Sequence, residues 1–228
     1  MHDFLFGIFP YIAITIMVVG AIARYERDPF TWKSSSSQLL RRKQLIWGSI
    51  LFHVGILVIF FGHLFGLLLP IEWFDALGVS HTLKQLLAAV GGGIAGVIAL
   101  IGGLMLAHRR FADPRVRATS SFWDSAIILI LVAQLILGIG TVPVSLGHLD
   151  GHEMALLMSW ANGIITFDPE AAGYIAHSHW IFKAHILLGL TIFVLFPFTR
   201  LVHMLSAPVR YIWRPGFQIV RRRGGSKA

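Results

Sequence analysis

Five stretches of this chain, at about 4–23, 45–69, 85–107, 125–146 and 180–201, are apolar for long enough to cross a bilayer. A hydrocarbon core about 30 Å thick takes roughly 20 helical residues. Within it every backbone polar group must find an internal partner, which an α-helix provides. The sequence therefore predicts an all-α integral membrane bundle of five transmembrane helices. Charged residues make up 13% of the 228 positions, about half the share usual in a soluble domain. The longest connection, 147–179, has only about 33 residues. Residues 1–228 thus read as one transmembrane domain with a basic tail at 202–228. Ala21-Ile22-Ala23 imitates a signal-peptide cleavage site, but Met1-His2-Asp3 carries no lysine or arginine and the apolar core is too long. The first stretch reads as an uncleaved helix.

Basic residues set the expected orientation. Segment 24–43 holds six lysines and arginines, 108–124 holds four, and Arg200 onward holds seven. The opposite connections offer only Lys84 and Lys183, at or near helix starts. The positive-inside rule places the N-terminus outside, on the periplasmic side, and the C-terminal tail in the cytoplasm. The net charge of +8 is thereby a topology signal and calls for no nucleic acid. The Arg221-Arg222-Arg223 run suits anionic membrane lipids or an acidic partner subunit. Ser34–Ser37 reads as loop, and Glu153–Ile165 as a short helix along the outer surface.

The chain has no cysteine, which excludes disulfides, thiolate-held iron–sulfur clusters and covalently attached c-type haem. A metal would have to use histidine, carboxylate or thioether. Of eleven histidines, His53, His63, His185 and His203 lie within or at the ends of spans. An intramembrane imidazole is costly without a partner. The bland alternative is a hydrogen bond to a neighbouring helix. The arrangement favours more: span two carries His53 toward the cytoplasm and His63 toward the outside, while span five carries His185 toward the outside and His203 toward the inside. Bis-histidine haem ligation takes one imidazole from each side of the ring, so two such helices can hold two stacked haems.

Helical geometry supports this only in part. Eighteen residues are five full turns, placing His185 and His203 on one face, and ten residues leave His53 and His63 about 80° apart. The rises, about 15 Å and about 27 Å at 1.5 Å per residue, disagree. Pro197 between the span-five histidines permits a kink. Gly55, Gly62, Gly66 and Gly189 would let a flat macrocycle approach the backbone. Ordinary helix packing through small residues explains them equally.

TWKSSSSQLL, LFHVGILVIFFGHLFG, PRVRAT, AHILLGL and FPFTRLVHMLSAPVRY together resemble the gamma subunits of the membrane-bound respiratory nitrate reductases, di-haem cytochromes b, over essentially the whole chain. The resemblance implies a cytoplasmic-side b haem held by His53 and His203 and a periplasmic-side b haem held by His63 and His185. It further implies quinol oxidation near the outer haem, at a site including Lys84 and His63. Electrons would then reach a cytoplasmic iron–sulfur subunit and a molybdenum catalytic subunit that reduces nitrate. Arg110 and Ser36 lie where propionates of the inner haem would emerge, and a guanidinium suits a carboxylate. The four arginines of 109–117 are also accounted for as topology determinants, and Lys84 as a snorkelling anchor. Related cytochromes serve other cytoplasmic reductases, of sulfur or heterodisulfide metabolism. In the outer connection, His148, His152, His177 and His179 with Asp150 and Glu153 suggest a zinc site, but Gly151 interrupts the helix such a site would need. Exposed histidine is the default there.

The competing class is a haem-free membrane anchor or proton-relaying transporter. Many transporters carry internal repeats, and none is evident between the halves. A reduced-minus-oxidised visible spectrum of the purified protein separates the classes, with b-type bands expected from a haem subunit and none from an anchor.

Overall fold

The structure is a computed structural model and describes residues 1–32, 40–147 and 149–206. The expectations placed on Ser34–Ser37, Ser36 in particular, on His148 and on the Arg221-Arg222-Arg223 tail lie outside the described residues. The first span opens as a π-turn over Phe4–Ile8 and continues as α1, Phe9–Arg27. It is followed by α2 (Arg42–Leu68), α3 (Ile71–Ala76), α4 (His81–Ala112), α5 (Pro114–Ala118) and α6 (Phe122–Gly147). Then come α7 (His152–Thr166), α8 (Ala171–Tyr174) and α9 (Trp180–Leu195), with 3-10 turns at Phe196–Phe198 and Arg200–Ser206. Five segments are long and apolar enough to cross a membrane: Phe4–Arg27, Arg42–Leu68, His81–Ala112, Phe122–Gly147 and Trp180–Phe198.

Polar side chains cap α4, α5 and α9. Ser80 starts α4, its Oγ accepting from Leu83 N at 3.2 Å, a standard N-cap bond. Asp113 ends it, since a residue before proline disfavours helix. Its carboxylate then caps α5, accepting from Arg115 N at 2.9 Å and Val116 N at 3.3 Å. Desolvation pulls the Asp113 carboxyl up, but those N–H donors and the Arg41 guanidinium hold it below the usual carboxylate range.

Helix packing runs α2 on α4, α4 on α6, α6 on α9 and α9 on α1, while α7 lies against α2, α4 and α8. The α2–α4 seam is made of small residues. Gly48, Phe52 and Gly55 on α2 face Ala95, Ala99 and Gly102 on α4, all buried at three- and four-residue spacing. A Cβ at Gly102 would collide with Phe52 N and lie 2.7 Å from Gly48 O, and one at Gly55 would lie 2.6 Å from Ala95 O. Backbone meets backbone there, the arrangement by which membrane helices gain dispersion contacts. Gly55, among the glycines considered for approach of a macrocycle, packs against Ala95 and Ala99 of α4.

One correction concerns span five. It is not one helix carrying both His185 and His203: α9 ends at Leu195, and Thr199 is extended at φ −118°, ψ −177°. Pro197 is the cause, because it lacks an N–H and its ring opposes the carbonyl four residues back. The break is held firmly. Gly20 of α1 leaves room for the Pro197 ring, since a Cβ there would come 2.8 Å from Pro197 Cγ. Arg24 Nη1 donates to Pro197 O at 2.7 Å and to Thr199 O at 2.8 Å, carbonyls that the interrupted helix leaves unpaired. Phe196, Leu201 and Val202 are buried around Ile127 of α6. Arg200 then meets Asp124, Nη2 to Oδ1 at 2.6 Å and Nε to Oδ1 at 2.8 Å.

Because the α2–α4 seam tolerates no added volume, Gly102→Ala should cost about 1–3 kcal/mol through overpacking, read as a lower melting temperature in detergent. Gly92 of the same helix has nothing within 4 Å of an added Cβ. Gly92→Ala should be neutral or stabilising by up to about 1 kcal/mol.

Candidate functional site

No close backbone packing joins α2 to α9 among the described residues. The two meet through side chains. The rings of His53 and His203 lie 6.2 Å apart between centroids, and those of His63 and His185 lie 6.1 Å apart. Both pairs are thus level despite the unequal residue counts between their members. The break at 196–199 makes this so, since the chain need not climb a further helical 27 Å to reach His203.

The hydrogen bonds fix which nitrogen each ring presents. His53 Nδ1 bonds Ser49 O at 2.8 Å, and His63 Nδ1 bonds Ile59 O at 2.8 Å. His203 Nδ1 likewise bonds Arg200 O. Three rings therefore donate through Nδ1 to a backbone carbonyl one turn or less behind them. That leaves Nε2 as the lone-pair nitrogen, and a bond of this kind is what orients a metal-ligating histidine. His185 differs: its Nδ1 is buried without a partner, and Gln134 Nε2 is 3.4 Å from its Nε2 and 3.1 Å from its carbonyl. The long contact to Gln134 is the one hydrogen bond in reach of the His185 ring, so this ring is held less firmly than the other three. Two metal–imidazole bonds of about 2 Å each, in line through one iron, put ring centres about 6 Å apart. Each pair fits a bis-histidine haem on spacing, and His53, His63 and His203 fit it on donor chemistry as well. No group of three or more histidine, aspartate or glutamate side chains among the described residues suits a bare metal ion.

The surroundings of the rings are mixed. Gly62 and Gly66 have nothing within 4 Å of an added Cβ, so backbone is open beside His63, whereas Gly189 faces Gln134 Nε2 at 3.3 Å. Two residues escaped the sequence reading. A Cβ at Gly138 would meet His185 Cε1 at 2.9 Å, so only glycine lets α6 approach that ring. Gln134, one turn earlier, holds the same histidine. The signal was there: an amide in the middle of a span of mean hydropathy 2.5, four residues before a glycine.

At the end of the bundle bearing His53 and His203, Arg110 donates to Ser120 Oγ at 2.7 Å and lies 3.8 Å from Asp124 Oδ2. Asp124 also holds Arg200, whose carbonyl orients His203. Arg110 is thereby tied to the His53–His203 pair through one shared carboxylate.

At the other end, Lys84 is buried, with Nζ 2.7 Å from Met158 Sδ and 3.5 Å from the Phe74 ring centroid. A thioether and an aromatic face are weak partners for an ammonium, and no carboxylate lies within ion-pair distance among the described residues. The linkage to His63 runs through α7. Met158 touches Lys84, and Asn162, one turn on, donates to Leu67 O at 2.9 Å, one turn beyond His63. Of the remaining histidines, His152, His177 and His179 are exposed. His179 caps α9, Nδ1 accepting from Ile181 N at 3.3 Å. Asp75 and His81, which attracted no notice in the sequence, pair at 3.0 Å.

A model of the family described as "Nitrate reductase gamma subunit" matches residues 2–223. The respiratory nitrate reductase 2 gamma chain of Escherichia coli K12 is 47% identical over 223 residues, covering 98% of each chain. The nitrate reductase gamma chain of Bacillus subtilis 168 is 37% identical over 219 residues, covering 96% of this chain and 97% of the relative. A more distant relative, the Hdr-like menaquinol oxidoreductase cytochrome b-like subunit of Archaeoglobus profundus, is 26% identical over 161 residues, or 68% of this chain and 45% of that one. With five membrane-crossing helices and full-length likeness to two such gamma chains, the chain belongs to the nitrate reductase gamma subunit family, as a multi-pass inner-membrane subunit of an oxidoreductase complex.

Proposed function

We propose that the chain is a di-haem cytochrome b that oxidises quinol at its Lys84 end. It delivers the electrons to a cytoplasmic iron–sulfur subunit, which serves a molybdenum subunit reducing nitrate. One observation carries this reading: three imidazoles of membrane-crossing segments and His203, just past the last of them, meet as two pairs with centroids 6.2 and 6.1 Å apart. The archaeal relative's description, a menaquinol oxidoreductase cytochrome b-like subunit, supports it. His53 and His203 would hold one b haem and His63 and His185 the other. Haem, when bound, supplies one-electron redox chemistry tuned by its axial ligands.

The protein's own groups do the rest. The carbonyls of Ser49, Ile59 and Arg200 hold three rings in the tautomer that offers Nε2. Gly138 and Gln134 fix the fourth. Lys84, short of a strong partner, donates a charge-assisted hydrogen bond to a quinol oxygen and favours its ionised form. Arg110 stands beside the inner pair with donors for a propionate. The open backbone at Gly62 and Gly66 admits a flat ring. The N-terminus and the Lys84 end face the periplasm, and the arginine-rich end faces the cytoplasm, as the lysine and arginine distribution favours. Protons are then released outside while charge moves inward, each elementary charge conserving about 2.3 kcal/mol per 100 mV.

Ligand replacement tests the pairing. His63→Ala or His185→Ala should remove one of two b-type signals in the reduced-minus-oxidised spectrum, and His53→Ala or His203→Ala the other. Equal loss of both signals from every variant, or loss of neither, would defeat the assignment.

Lys84→Ala should slow quinol-driven haem reduction by about tenfold to a hundredfold, the worth of a charged hydrogen bond, with both signals intact. An unchanged rate would return Lys84 to the role of anchor.

A further inference from the structure

Between Leu68 and His81 the chain does not cross the end of the bundle as a plain loop. It closes α3 in a tight turn, with Gly78 N donating to Asp75 O at 3.0 Å and Val79 N to Phe74 O at 2.9 Å. Gly78 sits at φ +71°, a conformation that favours glycine. This turn does two things with adjacent residues. It lays the Phe74 ring under the Lys84 ammonium at 3.5 Å, and it brings Asp75 Oδ1 to 3.0 Å from His81 Nε2. His81 and Lys84 are three residues apart on one helix, so their side chains stand one above the other with Cβ atoms about 5–6 Å apart.

The three groups form a gradient of exposure. Lys84 is 7% exposed as a residue, while the His81 and Asp75 side chains are 44% and 52% exposed. Within one helical turn the molecule passes from a buried cation to a wet carboxylate–imidazole pair. The other groups facing His81 come from the turn before α7: a Cβ at Gly151 would lie 2.6 Å from His81 Cβ, placing Asp150, His152 and Glu153 in that neighbourhood. Asp150 is engaged, accepting from His152 N at 3.1 Å.

We propose that Asp75 and His81 are the proton outlet of the quinol site, an inference that rests on the quinol-oxidising reading above. Oxidation of one quinol breaks two O–H bonds and yields quinone, two protons and two electrons. The oxidant of that reading is the b haem that His63 and His185 would hold, which would take the electrons singly, and the protons must reach water on the same side. Asp75 accepts the Nε2–H of His81 and so fixes the tautomer whose Nδ1 carries the lone pair. Nδ1 takes a proton, the Asp75 carboxylate balances the imidazolium, and the proton passes to solvent. The dyad is then reset for the second. Histidine suits this because its ordinary charge change falls between pH 5 and 8. Both are positioning and proton-transfer residues rather than quinol ligands.

The test uses membranes containing the whole complex and follows quinol-driven haem reduction from pH 5.5 to 8.5. His81→Ala should slow it about tenfold or more, at the lower end of proton-transfer effects, and millimolar imidazole should restore it. His81→Gln keeps a donor for Asp75 and so keeps the brace, yet should also be slow and lose the acidic limb of the profile. Asp75→Asn should shift that limb, while His152→Gln should leave it in place. The two haem signals and nitrate reduction from a donor that bypasses quinol should be unaltered in all four. A His81→Gln variant with the native rate and profile, or a His81→Ala loss that imidazole does not restore, overturns the outlet. Absent haem signals in the unmodified protein would overturn the quinol-oxidising reading instead, so the two failures are distinct.

Discussion

An imidazole in hydrocarbon has to satisfy both ring nitrogens, and the rest of this bundle is arranged around how four of them do so. A backbone carbonyl takes Nδ1 in three cases. For a helical histidine it lies one turn back, where the i−4 carbonyl is already in reach, so the bond asks nothing of a second helix. The cost falls on Nε2, which faces across the bundle, and only the opposing segment or a bound group can answer it. Burying such a nitrogen alone costs about 1–3 kcal/mol. Three of them, with the unpaired Nδ1 of His185, would be a large fraction of any membrane protein's stability unless each is satisfied.

Holding two ring pairs level demands fixed helix registers, which this chain achieves at both walls by removing volume. On one wall, Gly48, Gly55 and Gly102 bring α2 and α4 into backbone contact. On the other, Gly20 accepts Pro197 and Gly138 accepts His185. Bulky apolar residues are mostly turned outward: between 11% and 33% of the residues in each crossing window are buried. Where lipid is as apolar as leucine, there is little to gain by burying leucine, and close approach decides which faces pack.

The spans were legible because hydropathy over 18 or more residues is a property of composition, insensitive to tertiary detail. The partners of His53 and His63 were legible too, once the arginine-rich segments gave each helix a direction. The break after Leu195 was not. Pro197 announced a kink, but a kinked helix and a helix that ends look alike in sequence. What decides between them is Gly20 and Arg24, about 175 residues away in the chain. The packing of Gly55 on α4 was open for a related reason, since a glycine beside a histidine suits a macrocycle and a neighbouring helix equally until the neighbour is known. α3 was hidden because Ile71–Ala76 is too short for its periodicity to register, and with it went the pairing of Asp75 with His81.

The two ends of the bundle solve opposite electrostatic problems. At the arginine-rich end, cations are paired: Arg41 with Asp113, Arg200 with Asp124, and Arg110 near the same aspartate. Guanidiniums fixed in this way offer their remaining donors in set directions, which suits permanent anionic groups such as propionates or an acidic partner face. At the other end, Lys84 is buried against an aromatic ring and a thioether, while the carboxylate that might have neutralised it is turned one residue aside to His81. Had Asp75 paired with Lys84, the ammonium would have been satisfied and inert. Keeping the carboxylate on the imidazole leaves the cation short of a partner and gives the rim a base. A site that must take both protons from a bound molecule and return them to water has use for that division.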